Sequence, residues 1–98
     1  SVAWADPFYW GERPDDAGYV HKLAVREDAA GGGVGQEILR WAEERVRHAG
    51  RDFVRLDCDA DNPRLNAYYR DAGFELQGML VREDGLRMNL YEKTIGQA

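Results

Sequence analysis

The cluster GGGVG at Gly31 to Gly35 lies between the runs YVHKLAV and VGQEILRWAEERVRHAG, and it restricts the architecture more than any other stretch. On its N-terminal side the period is two. Tyr19, His21, Leu23 and Val25 fall on one face of a strand and Val20, Lys22 and Ala24 on the other. On its C-terminal side Val34, Ile38, Trp41, Ala42, Arg45 and Ala49 recur at helical spacing, Leu39 and Val46 widen the stripe, and Gly50 stops it. A strand therefore enters a helix through glycines. Residues without a Cβ let consecutive amides converge on one anion at the positive end of a helix, although the same glycines also serve as a plain joint. Known phosphate cradles do not decide between the two. Read from Gly33, the dinucleotide fingerprint meets isoleucine at its third glycine, and a P-loop would need Lys-Ser/Thr where Gln36 and Glu37 stand.

The remaining elements alternate. VAW at Val2 to Trp4 reads as a strand, and FYW at Phe8 to Trp10 as its continuation into a loop after Asp6 and Pro7. Phe53 to Cys58 forms a strand with Val54, Leu56 and Cys58 on one face, and it ends in the acidic run DCDAD. Asn62 followed by Pro63 predicts an N-cap and first helical position, with the helix running to Ala72 and stopping at Gly73. Phe74 to Arg82 and Leu86 to Lys93 predict two strands joined at Asp84 and Gly85. The order is strand, strand, helix, strand, helix, strand, strand, which makes one α/β domain over residues 1–98 with a mixed sheet.

A chain of 98 residues supports one modest core. Thirteen basic against eighteen acidic residues give a net charge of −5, which lacks the footprint of a nucleic-acid binder, so an anion would have to be held by local geometry. The single cysteine allows no internal disulfide and fits a cytoplasmic setting. No run approaches the roughly 18 apolar residues of a membrane span, and the two histidines and one cysteine lack metal-ligand spacing, so neither membrane nor metal is expected.

LAV at Leu23 to Val25, the glycines six positions later, the helix after them, Asn62-Pro63 and YRDAGF at Tyr69 to Phe74 together resemble the GNAT superfamily of acetyl-CoA-dependent N-acetyltransferases. The resemblance covers roughly Tyr19 to the end. It implies a mixed, mostly antiparallel sheet flanked by helices, and acetyl-CoA as cosubstrate. Backbone groups of Leu23, Ala24 and Val25 would hold the pantetheine arm, and amides of Gly31, Gly32, Gly33, Val34, Gly35 and Gln36 would wrap the pyrophosphate. Asn62 would touch the cofactor, and Tyr69 would protonate the departing thiolate. Two departures from the family pattern accompany it. Ala30 stands where arginine or glutamine is usual, and Glu27 replaces a common proline, which implies a looser loop. The family's opening strand and helices are also missing, so the expectation is an N-terminally truncated domain that retains only the last of those strands at Val2 to Trp4.

Acetyl transfer from a thioester to an amine needs a deprotonated amine, a donor to the carbonyl oxygen and an acid for the thiolate. A backbone amide of Leu23 to Val25 suits the carbonyl. Tyr69, with an ordinary pKa near 10, suits the acid, and its neighbour Tyr68 is the alternative should that one face inward. His21 titrates in the range a base requires and is the catalytic candidate on the strand, although a lone histidine is more often a structural hydrogen-bonder. Asp57 and Asp59 could relay protons or simply cap the next helix, Arg64 could reach a phosphate, and Cys58 reads as a buried small hydrophobe. Trp4, Phe8, Tyr9 and Trp10 form an aromatic cluster whose exposure would favour self-association, so a homodimer is expected.

The expected function is thus direct acetyl transfer from acetyl-CoA to a primary amine of a small molecule or peptide. The alternatives are an inactive truncated module that binds CoA or dimerises, and a nucleotide-binding α/β module that uses the glycines for another phosphate.

Overall fold

A computed structural model describes residues 2–11, 13, 16–20 and 34–95. Its elements are β1 (Val2–Ala3), α1 (Pro7–Trp10), β2 (Ala17–Val20), α2 (Val34–His48), β3 (Phe53–Asp59), α3 (Pro63–Asp71), β4 (Glu75–Val81) and β5 (Arg87–Thr94). The strands form one sheet in the order β1-β2-β3-β5-β4. Among the described residues only β2 and β3 pair in parallel, from Ala17 opposite Phe53 to Val20 opposite Leu56. The other three pairings are antiparallel.

The helix boundaries follow from end chemistry. Helix α2 carries Glu37 in its first turn and Arg45, Arg47 and His48 in its last, each sign facing the opposite pole of the dipole. It ends where Gly50 takes a left-handed backbone at φ +76°, so that Arg51 N–H can turn back to the carbonyl of Val46 at 3.2 Å. Helix α3 starts as expected, with Asn62 Oδ1 accepting from Leu65 N–H at 3.1 Å and Pro63 in the first turn. It ends one residue earlier than the sequence suggested, with Ala72 as its cap.

The core lies mainly on one face of the sheet. Val20, Val54, Leu56, Cys58 and Tyr91 meet Leu39, Ala42 and Val46 of α2 and Tyr69 of α3. The α2 stripe is narrower than its sequence pattern. Trp41 is 53% exposed and Arg45 is exposed, because these positions turn away from the arc through Leu39, Ala42 and Val46, and Ala49 is exposed just past the end of the helix at His48. The Arg45 guanidinium lies over the Trp41 ring at 5.7 Å instead. Where α2 crosses β2 the Val46 side chain packs directly onto the backbone of Gly18. A Cβ on Gly18 would lie 2.3 Å from Val46 Cγ2, so only glycine fits there.

The opposite face holds Trp10, Ala17, Tyr19 and Leu90. Phe8 to Trp10 is not the end of a strand, because Asp6 and Pro7 start a one-turn helix, with Asp6 Oδ1 accepting from Tyr9 N–H at 3.4 Å. That turn folds Trp10 onto the sheet at 6% exposure and leaves Phe8 69% exposed, so the aromatic cluster expected from sequence is divided between core and surface. Under Trp10 lies Arg55, 3% exposed. Its Nε donates to Glu92 at 2.7 Å and its Nη1 to the Tyr19 hydroxyl at 2.8 Å, and its guanidinium sits 5.2 to 5.6 Å from the Phe53, Trp10 and Tyr19 rings. Burial opposes its charge, and the hydrogen bonds to Glu92 and Tyr19 outweigh that penalty, so its pKa moves up.

Candidate active site

The described segments that border the site expected from sequence meet at one end of the parallel pair. β2 leads toward residues 21–33 and α2 begins at Val34, while β3 delivers the chain to α3 at the same end. His21, Leu23, Ala24, Val25, Gly31, Gly32 and Gly33 lie outside the described residues, as do Glu27 and Ala30. Val34, Gly35 and Gln36 form the first turn of α2. The first four N–H groups of any helix lack an intrahelical acceptor, and over 15 residues the dipole at that end is fully developed.

Asn62 and Tyr69 both belong to α3 and lie seven residues apart, about 10 Å along the axis. The Oδ1 of Asn62 is committed to the cap, while among the described residues its Nδ2 has no partner. Tyr69, rather than Tyr68, is the inward residue of the pair. It is 2% exposed and its ring lies 5.8 Å from that of Phe74 and 6.1 Å from that of Tyr91. Burial, and then the neighbouring Cys58, Tyr68 and Asp57, push its pKa well above the ordinary phenol value. Tyr69 therefore keeps its proton across the physiological range and parts with it reluctantly. Tyr68 is partly buried, and its hydroxyl has no hydrogen-bond partner among the described residues. Burial moves its pKa up as well.

The β3 carboxylates and thiol are engaged locally. Asp59 Oδ1 accepts from Asp61 N–H at 2.9 Å and shapes the turn into α3, and Asp61 pairs with Arg87. Cys58 is a buried free thiol, and burial, then Asp57 and Asp59, push its pKa up to about 12 against the weaker pull of Arg70. Such a thiol is held protonated and is no nucleophile.

Sequence reasoning missed Asn66. It is 4% exposed on α3, and its amide is saturated. Nδ2 donates to the carbonyls of Asn62 at 2.7 Å and Asp59 at 3.0 Å. Oδ1 accepts from the Tyr91 hydroxyl at 2.6 Å, from Asn89 Nδ2 at 2.8 Å and from the Cys58 thiol at 3.6 Å. One side chain thus fastens the end of β3, the first turn of α3 and the centre of β5, and it fixes where Asn62 stands. A polar residue on the inner face of a helix is the signal that could have marked it, since buried amides need partners.

A protein-family profile described as the acetyltransferase (GNAT) family matches residues 2–74, which include Asn62, Tyr69 and the whole glycine segment. The chain belongs to the GNAT acetyltransferase family. It is 36% identical over 91 residues to the uncharacterized N-acetyltransferase YesJ of Bacillus subtilis, an alignment covering 92% of this chain and 48% of that protein. A crystal structure of an acetyltransferase from Agrobacterium tumefaciens superposes with a TM-score of 0.67 at 30% identity, covering 82% of this chain and 58% of the other. Nourseothricin acetyltransferase superposes at 0.75 with 23% identity, covering 83% and 51%, and shows the shared fold. The chain spans about half the length of these GNAT relatives. No helix among the described residues is long and apolar enough to cross a membrane.

Proposed function

We propose that this GNAT chain transfers acetyl directly from acetyl-CoA to a primary amine of a small molecule or peptide, in the cytoplasm. The observation that carries the reading is that the family profile spans residues 2–74, so that every proposed cofactor and catalytic residue lies within it. The described residues fit such a cofactor. Among the described residues Asn62 Nδ2 has no partner at the start of α3, and the first amides of α2 have no acceptor within the helix.

When bound, acetyl-CoA would supply an activated acyl group on a good leaving thiol. The chain's part is positioning and proton handling. Amides of Gly31 to Gln36 would neutralise the pyrophosphate at the positive end of α2, the Leu23 to Val25 backbone would hold the pantetheine arm, and Asn62 would fix its far end. Tyr69, held protonated, would be the donor to the departing sulfur. His21 is the residue proposed to take the proton of the amine.

Calorimetry with acetyl-CoA, CoA and NAD, followed by thiol release across a panel of amines, tests this. Binding of both CoA species but not NAD, with thiol release for some amine, is expected; no binding of either CoA species refutes the reading. The alternative is a module that holds CoA without turnover. Tight CoA binding with no thiol release for any amine would select it.

A further inference from the structure

Strand β4 is the sheet's outer strand, and among the described residues nothing pairs with its free edge. It is seven residues long and carries three large exposed apolar side chains, Leu76, Met79 and Val81 at 54, 52 and 58%. Their partners on β5 are Tyr91, Asn89 and Arg87, so all three point to the same side of the sheet. An open, apolar edge is the form of strand that recruits another strand. We propose that the β4 edge pairs antiparallel with the same edge of a second copy of this chain about a two-fold axis beside Met79.

The sequence of the strand is complementary to itself in one register. A two-fold axis perpendicular to the sheet sets Met79 against Met79 of the second copy and Gly78 against Leu80. A Cβ built on Gly78 meets nothing within 4 Å, which leaves room for that leucine. The β4–β5 pairing slips by one residue between Leu76 and Gly78, so Gln77 is an extra residue. Skipping the same residue on the outer edge brings Leu76 opposite Val81 and Glu75 opposite Arg82, each pair occurring twice by symmetry. Apolar meets apolar on the face that carries the helices, and acid meets base on the other. Arg82 reaches Asp84 at 3.0 Å in its own chain and still exposes 40% of its side chain, so it can serve both carboxylates. Because the bulge admits one register, the contact closes as a dimer and does not propagate. The aromatic residues near the N-terminus contribute less, since Trp10 is buried and Phe8 alone of them is strongly exposed.

Sedimentation equilibrium over a concentration series reaching the millimolar range, on the full-length protein, measures the association. Met79→Lys sets two ammonium groups face to face at the axis and should weaken dimerisation at least about tenfold. Glu75→Arg and Arg82→Glu should each weaken it, and the combined charge swap should restore it. Met79→Cys should yield a disulfide-linked dimer under mild oxidation, the native Cys58 being buried. All three positions are on the surface strand or its turn, and an unchanged circular dichroism spectrum verifies each fold. A monomer at every concentration overturns the proposal. So does a dimer indifferent to Met79→Lys, or one that Met79→Cys cannot cross-link, either of which would locate association elsewhere.

Discussion

Replacing Asn66 by alanine removes the amide that joins three elements, and the cost can be apportioned from its partners. The carbonyls of Asp59 and Asn62 each keep another donor, Asn62 N–H for the first and Asn66 N–H for the second. Asn89 is half-buried and can turn to water. Tyr91 cannot, because it is 0% exposed and Asn66 is its hydroxyl's acceptor at 2.6 Å. A buried hydroxyl left alone costs about 1–3 kcal/mol, and the lost packing of the side chain brings the total to about 2–4 kcal/mol. Tyr91→Phe in the native background removes only a donor and should cost about 0.5–1.5 kcal/mol. In the Asn66→Ala background the same change removes the stranded hydroxyl and should be neutral or stabilising, giving a coupling of about 1–3 kcal/mol. Urea unfolding of the four proteins at neutral pH, with m-values compared, measures it. Additivity to within about 0.5 kcal/mol would refute the argument, because it would mean that the hydroxyl does not depend on Asn66.

Gly18→Ala should lower stability by about 1–3 kcal/mol, since the added methyl meets Val46 at 2.3 Å. Val46→Ala clears that space, so in urea melts the double variant should lose less than the sum of the singles, and an additive result would contradict the close approach. Cys58 predicts an alkaline weakness. Its pKa is about 12 in the fold against an ordinary 9.0, so the native state holds the proton more tightly. Stability from this source is complete below pH 9 and is lost as pH climbs from there toward 12, about 1.4 kcal/mol having gone by pH 10. Denaturation at pH 8 and pH 10 should show a smaller pH decrement for Cys58→Ala than for the native chain, and equal decrements would count against the buried thiol as the cause.

Local signals carried most of the element pattern. Asn62-Pro63 announced α3 because capping and proline geometry are decided within a few residues, and Asp84-Gly85 announced the β4–β5 turn for the same reason. The GNAT resemblance was legible because it rests on spacings along the chain. Other features depend on which residues meet from afar. Phe8 to Trp10 looked like strand because aromatic content outweighed a weak cap at Asp6, and Trp41 looked like core because helical period alone does not say which arc faces the sheet.

Sequence alone determined the order of the strands and of the two longer helices, the cap of α3 and the resemblance to the family. The fold decided that Arg55 is buried, because its partners Tyr19 and Glu92 come from two other strands. It decided that Tyr69 and not Tyr68 faces inward, and that Asn66 ties β3, α3 and β5 together. It also decided that the β4–β5 pairing slips by one residue at Gln77. The division has one physical cause. Backbone preference acts over three or four residues and can be read in order, whereas burial and pairing depend on segments that are distant in sequence and adjacent only after folding.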